Sequence, residues 1–340
     1  MMNDYMTKPG CYTAKLNTPV TPRENWELFW NRKGPLWVPD GTYDFNYMCP
    51  LFHPDIQANS FSGGYDSFGV KWVPNPSYDS IPAFPEHGAY RLKSISDWRE
   101  LRWPDVDSWG WEQAAEEYSV QDPSRPNAVF YVCGLFERMI SLLGYENAAV
   151  SFYMDPQSTH AFIDRLLEHN LNVFEHFQKY LKMELMLFSD DWGTQLHTTF
   201  SKKILEEFIM PHYAALVKWC HDRGIRFMHH CCGEVTSFVP YMIDAGTDSW
   251  EMNFEAVEPY LDECVEKYGD KILFDAYIGL VKKLPAEREA LKESIRCYYD
   301  KYGAGEKFSL TFYDYNDWDF DTRSFCYQEA RKVICGAANP

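Results

Sequence analysis

The chain has 340 residues, with 32 Lys and Arg against 50 Asp and Glu, which gives a formal net charge of -18 at pH 7. This negative balance repels phosphate backbones and anionic membrane surfaces, so we expect neither a nucleic-acid nor a membrane partner. The sequence contains no run of about 18 apolar residues, which a membrane-spanning helix needs, and its first residues lack the apolar segment of a signal peptide. We therefore expect a cytoplasmic protein whose ten cysteines are reduced thiols.

The sequence changes character near residue 127. The part before it, residues 1–126, is rich in Gly, Pro, Asp and aromatic residues and predicts a loop-rich region. After it, short apolar runs alternate with longer amphipathic segments, which is typical of parallel βα units. The predicted strands are 128–133, 184–189, 225–230, 247–251, 271–277 and 307–313, and two more fit at 35–38 and 45–49.

Two helices have clear start signals. Asp155 followed by Pro156 predicts an N-cap with proline at the first helical position. A second helix is predicted to start near Ser201, with a kink caused by Pro211.

Eight strands alternating with helices predict an α/β fold, a (β/α)8 TIM barrel with a loop-rich aromatic N-terminal extension. We expect one domain over residues 1–340. The alternative is an open doubly wound sheet, but such folds usually carry a glycine-rich phosphate loop, and the sequence contains no G-x-G-x-x-G motif.

In a parallel barrel, the active site is built at the carboxyl ends of the strands. Asp190 and Asp191 follow the apolar run Met186-Leu187-Phe188, and we expect them to be catalytic as a coupled pair that accepts a proton or orients the substrate. The structural alternative is an acidic N-cap in a surface loop.

Four further side chains at these strand ends are expected to bind substrate. They are Trp192, Gln195, Tyr277 and Tyr313. The aromatic residues of the N-terminal part either line a pocket or pack the long loops onto the barrel, and packing is the simpler interpretation for most of them.

His230 and Cys232 form the sharpest local signal. They lie two residues apart at a predicted strand end, and an imidazole nitrogen with a thiolate sulfur is a ligand pair suited to zinc. Glu251, at the end of the next strand, is the expected third ligand. The alternative is a buried core pair. The neighbours His229 and Cys231 are expected to face the opposite side of the strand, because consecutive strand residues alternate.

At these residues the chain resembles the uroporphyrinogen decarboxylase superfamily, and within it the corrinoid-dependent methyltransferases. The resemblance covers residues from about 60 to about 280. It rests on Asp66-Ser67-Phe68-Gly69-Val70-Lys71-Trp72, Trp103-Pro104-Asp105, Gly134-Leu135-Phe136-Glu137-Arg138, Leu143-Gly144-Tyr145-Glu146-Asn147, Asp190-Asp191-Trp192-Gly193-Thr194-Gln195 and His230-Cys231-Cys232-Gly233.

The resemblance implies a (β/α)8 barrel and a zinc ion bound by His230 and Cys232. Glu251 resembles the zinc-ligating glutamate of cobalamin-independent methionine synthases. A cysteine that such enzymes often take from the last strand end is absent, because this chain has Tyr313 and Asp314 there, while Cys326 and Cys335 fall in the predicted last helix.

The activity that follows is transfer of a methyl group between a small methylated substrate (an ether, amine or thiol) and the cobalt of a corrinoid. We expect the corrinoid on a separate partner protein, because the chain has no cobalamin-binding insertion, and a homodimer is one expectation for the oligomeric state. The sequence leaves the direction of transfer open.

Two other functions remain open. One is tetrapyrrole decarboxylation without a metal, although Arg23 and Arg32 stand apart and form no arginine-rich segment for a polyanionic substrate. The other is a non-catalytic barrel that binds a small ligand or a corrinoid protein.

Overall fold

The computed structural model describes residues 16–41, 43–50, 52–60, 62–75, 83–119, 121–279, 284–303, 306–312 and 320–335. The strands are β1 Asn46–Met48, β2 Gly64–Tyr65, β3 Lys71–Val73, β4 Phe84–Pro85, β5 Asn127–Tyr131, β6 Leu185–Ser189, β7 Arg226–Cys231, β8 Ser249–Asn253, β9 Leu273–Ile278 and β10 Phe308–Phe312. The helices are α1 Pro22–Trp30, α2 Pro54–Ala58, α3 Trp111–Glu117, α4 Phe136–Leu143, α5 Tyr145–Met154, α6 Pro156–Leu181, α7 Lys202–Ile204, α8 Met210–His221, α9 Val239–Ala245, α10 Phe254–Tyr268, α11 Arg288–Tyr302 and α12 Phe320–Cys335. Short 3-10 segments cover Ile95–Glu100, Val106–Ser108 and Thr236–Phe238.

Within the described residues, the main sheet has seven strands in the order β1-β5-β6-β7-β8-β9-β10, all parallel. Each of the later strands follows its sequence neighbour, with a helix between them. All six strands predicted after residue 127 are present, with bounds that differ by a few residues from the predicted ones. The predicted α/β architecture with a parallel sheet is thus confirmed.

The prediction of a closed eight-stranded barrel is wrong for the described residues. Of the two strands predicted in the first part of the chain, β1 is present, whereas the segment 35–38 forms no strand. Pro35 begins this segment and Pro39 follows it, and both lack the amide N–H that a ladder needs. The Leu36 N–H instead donates to Asn25 Oδ1 over 2.7 Å. Just after this segment, Asp40 forms an isolated parallel bridge with Leu310 of β10.

The two helix starts are confirmed. Asp155 caps α6 by accepting the Ser158 N–H over 3.0 Å, and Ser201 caps α7. The predicted kink takes the form of a π-helical segment, Leu205–Ile209, that joins α7 to α8 just before Pro211. A wide turn of this kind is a common way for a helix to accommodate an interruption of its hydrogen bonds.

The loop-rich N-terminal part is held to the sheet domain by a buried ion-pair cluster. Arg138 of α4 is 1% exposed and contacts Asp55 of α2 and Asp66. Asp66 also accepts the Trp72 indole N–H over 3.1 Å. These contacts fix the antiparallel sheet β2-β3-β4 against the first helix after β5.

Two apolar cores lie on the two faces of the main sheet. The larger one contains residues such as Val129, Phe188 and Trp250, together with the surrounding helices. The smaller one contains Leu187 and Met228 and is covered by α1 through Trp26, Phe29 and Trp30. We call this second face of the sheet the inner face. None of the described helices combines the length and hydropathy that a membrane-spanning helix requires.

Candidate functional site

A row of polar side chains crosses the inner face of the sheet near its carboxyl end. Residues paired across parallel strands point to the same face. The paired residues are Ser189, His230, Glu251, Asp275 and Ser309, one from each of β6 to β10. One layer deeper lie Leu187, Met228, Ser249 and Leu273, so the polar row lies directly above a mostly apolar layer.

Asp191, His230 and Cys232 converge beyond the end of this row. One potential ligand atom from each lies within 4.8 Å of the other two. His230 Nε2 is 3.1 Å from Cys232 Sγ, and Asp191 Oδ1 accepts the Cys232 N–H over 2.6 Å. All three side chains are partly accessible. In the described part of the chain, this is the group of three whose spacing suits a metal ion.

Glu251 contacts the other nitrogen of the same imidazole. Its carboxylate is hydrogen-bonded to His230 Nδ1. A carboxylate in this position accepts the Nδ1–H and leaves the Nε2 lone pair available, which is the arrangement found around histidines that bind metals. The structure therefore places Glu251 against Nδ1 of His230, and the group of three whose atoms lie within 4.8 Å of one another contains Asp191 rather than Glu251.

Burial and mutual charge shift the acidities of these groups. Burial and the neighbouring Asp191 raise the pKa of Cys232 to about 11. Burial also raises the pKa of Asp191, although the charge of His230 opposes it. Burial disfavours a charged His230, but Cys232 and Glu251 outweigh it and hold the His230 pKa well above its usual value. A metal ion here therefore has to displace a thiol proton.

Asp190 faces away from this group. It is fully buried, and its carboxylate accepts the N–H groups of Phe136 and Glu137 over 3.2 and 2.9 Å, together with the Trp192 indole N–H over 2.7 Å. Asp190 thus caps the first turn of α4 from within the core, whereas the structural alternative in the sequence analysis was an N-cap in a surface loop. Burial raises its pKa to about 6 in spite of these donors. The adjacent pair Asp190 and Asp191 is divided, with one acid in the core and one at the opening.

Glu137 is a site residue that the sequence analysis did not select. It is the second residue of α4, and its carboxylate accepts a hydrogen bond from the Ser189 hydroxyl over 3.3 Å. Burial, and then the charges of Asp191 and Asp190, raise its pKa well above the usual glutamate value. Because its side chain is partly accessible, Glu137 can exchange a proton at the opening. The available sequence signal was its place in Gly134-Leu135-Phe136-Glu137-Arg138, in the loop and helix start that follow β5.

The four predicted substrate-binding residues have different environments. The Trp192 side chain is 0% exposed, and its ring centroid lies 4.2 Å from that of His229 and 5.0 Å from that of Tyr213. It therefore belongs to the larger apolar core, on the face of the sheet opposite the inner face, rather than to the opening. Gln195 is exposed and donates to the Cys232 carbonyl over 3.1 Å. Tyr277 lies on the inner face with its ring centroid 6.3 Å from that of His230. Tyr313 lies outside the described residues.

His229 and Cys231 lie on the face of the sheet opposite the inner face, as the alternation of strand residues predicts. Both are fully buried, and the Trp192 N–H donates to Cys231 Sγ over 3.4 Å. The His229 ring packs against Trp192 on this side of the sheet.

The loops that carry Asp191 and Cys232 touch through two glycines. A Cβ atom on Gly233 would lie 2.2 Å from the backbone carbon and oxygen of Gly193. A Cβ atom on Gly193 would lie 2.6 Å from the Glu234 carbonyl oxygen. No other residue type fits either position without moving a loop.

Comparisons with known proteins show what the chain is similar to. A family model described as Uroporphyrinogen decarboxylase (URO-D) matches residues 132–271. The predicted resemblance to this family is confirmed. The matched segment contains Glu137, Asp191, His230, Cys232 and Glu251, so it covers the candidate site although it is less than half of the chain.

One solved structure shows a similar fold over most of both chains. A methyltransferase from Methanosarcina mazei aligns with a TM-score of 0.60 at 12% identity, covering 92% of this chain and 98% of that one. A D-psicose 3-epimerase in the presence of D-fructose aligns with a TM-score of 0.34 at 10% identity, covering 72% of this chain and 86% of that one. No curated protein sequence matches the chain.

Proposed function

We propose that the protein is a methyltransferase that moves a methyl group between a small methylated substrate and the cobalt of a corrinoid carried by a separate protein. The observation that carries the proposal is the convergence of Asp191, His230 and Cys232 inside the segment that matches the uroporphyrinogen decarboxylase family. The fold likeness to the M. mazei methyltransferase supports it.

The donor set fits zinc. A thiolate sulfur, an imidazole nitrogen and a carboxylate oxygen are its usual ligands, and catalytic zinc sites use three protein ligands and keep one position open. When bound, zinc would act as a Lewis acid on the leaving atom of a methyl donor, or would stabilise the thiolate of a methyl acceptor.

The residues around the three ligands have separate tasks in this proposal. Glu251 orients the His230 ring through Nδ1. Asp191 holds the Cys232 backbone N–H and so fixes the strand end. Glu137, which is partly accessible and has a raised pKa, accepts or supplies the proton of the leaving or attacking group. This last task replaces the catalytic role that we expected for Asp190.

The corrinoid partner is proposed to approach the carboxyl ends of the strands. Gln195 lies in the loop beside Cys232, and the next residue, Leu196, is 79% exposed. The ligand group is therefore reachable from outside along this loop.

Tetrapyrrole decarboxylation is a weaker candidate. A substrate with many carboxylates needs cationic partners, but Arg23 contacts Glu184 just before β6, and Arg32 donates to the Gly269 carbonyl over 2.7 Å. Both arginines therefore lie at the amino ends of the strands, away from the candidate site.

Metal analysis followed by a transfer assay tests the proposed function. Wild-type protein is expected to hold about one zinc per chain, and His230→Ala and Cys232→Ala are expected to lose both the metal and methyl transfer to a Co(I) corrinoid. Cys297→Ala is the matched control, because Cys297 is exposed and remote from the ligand group, and it should keep both properties.

Full transfer activity in Cys232→Ala would contradict the proposal. Loss of carboxylate groups from uroporphyrinogen with metal-free protein would favour the decarboxylase. Ligand binding without turnover, with Co(I) maintained by a reductant, would favour a non-catalytic barrel.

A further inference from the structure

The residue that ends β8 also begins the next helix. Asn253 is the last residue of β8 and the N-cap of α10, so no loop separates the two elements. Asparagine is among the residues preferred at an N-cap, where its side-chain oxygen accepts an N–H group of the first helical turn. The Asn253 side chain makes no such bond to α10, all of which is described. It is 0% exposed, and its buried Oδ1 atom has no hydrogen-bond partner among the described residues.

The amide of Asn253 is directed to Cys232 instead. Asn253 Nδ2 donates to the Cys232 carbonyl over 3.2 Å and to Gln195 Oε1 over 3.3 Å. Gln195 Nε2 donates to the same carbonyl over 3.1 Å. The Cys232 N–H donates in turn to Asp191 Oδ1 over 2.6 Å. Both polar groups of the Cys232 backbone are therefore held by side chains, which come from the loop after β6 and from β8.

The register of the sheet explains why Asn253 reaches Cys232. Strands β7 and β8 are parallel, and His230 lies opposite Glu251. Two residues further along each strand, the same register places Cys232 beside Asn253. Residues two apart on a strand share a face, so Glu251 and Asn253 both belong to the inner face. The Glu-x-Asn of β8 thus matches the His-x-Cys of β7 position by position.

Strand β8 supplies one supporting side chain for each member of the His-x-Cys pair. Glu251 contacts the His230 ring at Nδ1, and Asn253 holds the backbone of Cys232. We propose that Asn253 is a positioning residue that, together with Gln195, holds the Cys232 turn so that Sγ faces Nε2 of His230. This inference rests on the proposed function, because it concerns two of the proposed zinc ligands.

The orientation of Asn253 lowers the stability of its own helix. The first turn of α10 lacks the side-chain cap that an asparagine supplies elsewhere, and Oδ1 is left unpaired in a buried position. Local departures of this kind are expected at functional sites, where a side chain serves the site rather than the element that carries it. The uncapped helix and the bond to Cys232 therefore have one explanation.

The variant Asn253→Ser separates the two tasks of this position. A serine hydroxyl can cap α10, but it is too short to hold the Cys232 carbonyl and has no amide. The variant should unfold at about the same urea concentration as the wild type. Its zinc affinity, measured by competition with a chromophoric chelator, should fall about 10- to 100-fold, as is typical when a partner of a metal ligand is lost. An affinity within about twofold of the wild-type value would contradict the proposal.

The variant Asn170→Ser is the matched control. Asn170 is also 0% exposed, and its Oδ1 accepts the Tyr131 hydroxyl over 2.7 Å on the side of the larger apolar core. Loss of this buried bond should lower the urea midpoint, while zinc affinity stays within about twofold of the wild type. A comparable fall in zinc affinity in both variants would show that general destabilisation is the cause, and the proposal would be rejected.

Hydrogen exchange on the metal-free protein tests the positioning without any metal. The amides of residues 232–234 should exchange at least about tenfold faster in the double variant Asn253→Ser/Gln195→Ala than in the wild type, because the turn has lost both donors to the Cys232 carbonyl. The amides of β6 should keep their rates. Unchanged exchange at residues 232–234 would refute the positioning role, whatever the zinc content.

The two readouts separate this inference from the proposed function. Wild-type protein without zinc, together with faster exchange at residues 232–234 in the double variant, would refute the zinc-dependent transferase and support the positioning role of Asn253. Wild-type levels of zinc affinity and methyl transfer in the double variant would support the proposed function and refute the inference.

Discussion

Glu251 and His230 form a directed pair in which the carboxylate contacts Nδ1 of the imidazole and Nε2 faces Cys232 Sγ at 3.1 Å. A carboxylate behind a metal-binding histidine fixes the ring and raises its basicity, and its loss typically lowers metal affinity about 10- to 100-fold.

The first prediction follows from this pair. Glu251→Gln should keep one zinc per chain but bind it about 10- to 100-fold more weakly, measured by competition with a chromophoric chelator. Cys232→Ala should lose the zinc altogether. If Glu251→Gln also loses all its zinc, Glu251 is a ligand and the assignment of Asp191 to the third position fails.

Substitution of the two adjacent aspartates should change the free energy of unfolding by different amounts. Asp190 accepts two backbone N–H groups and the Trp192 indole inside the core. Asp190→Asn places an amide donor against these donors, so the free energy of unfolding should fall by about 1–3 kcal/mol. Asp191→Asn should lower zinc affinity with a smaller loss of stability. Urea unfolding measures the first effect, and a reversed order would contradict the division of roles.

Removal of the buried arginine should be among the most destabilising single changes. Arg138→Met leaves Asp55 and Asp66 buried without their cation, and such a loss typically costs about 3–5 kcal/mol. Lys218→Met is the control, because it breaks an exposed pair with Asp222 within one helix, and its effect should be about 0.5 kcal/mol or less. Similar unfolding midpoints for the two variants would show that the buried cluster adds nothing.

Two buried histidines predict acid sensitivity. Burial lowers the pKa of His53 to about 4 and that of His169 to about 3. Below the ordinary histidine pKa of about 6.5, the unfolded chain binds protons that the folded chain excludes, so stability falls as the pH falls toward these values. Each histidine should contribute a slope of about 1.4 kcal/mol per pH unit.

The variant His169→Phe isolates one of these protons. His169 packs against the rings of Phe68 and Trp103, where a phenyl ring is compatible. Urea unfolding at several pH values below about 6.5 should show a slope smaller by about one proton than that of wild type. An unchanged slope would mean that His169 is not buried in its neutral form.

Much of the fold was readable because parallel strands buried on both faces are continuous apolar runs, such as Met186-Leu187-Phe188. The segment 35–38 was wrongly predicted to be a strand. Its apolar residues are present, but Pro35 and Pro39 have no amide N–H to pair, and Asn25 holds the segment instead. Single-sequence patterns report hydrophobicity more clearly than they report available hydrogen-bond donors.

The site was readable where its members are close in sequence. His230 and Cys232 share one strand end, and their spacing was sufficient. Glu137 lies on α4, far along the chain from Asp191, and only the tertiary structure brings the two together. Asp190 and Asp191 have the same chemistry in the sequence, and their opposite roles arise because consecutive residues leave a strand on opposite sides.

The backbone contact between Gly193 and Gly233 makes substitutions at these glycines more damaging to the site than substitutions at the ligands. A metal-binding side chain can be exchanged for another donor, and the result is a site of altered preference on an intact scaffold. A single methyl group at Gly233 should instead separate the two loops that carry Asp191 and Cys232, so that the three unaltered proposed ligands no longer meet. One substitution at a proposed ligand is therefore expected to change which metal is preferred. Any side chain at either glycine is expected to prevent the proposed ligands from coming together at all.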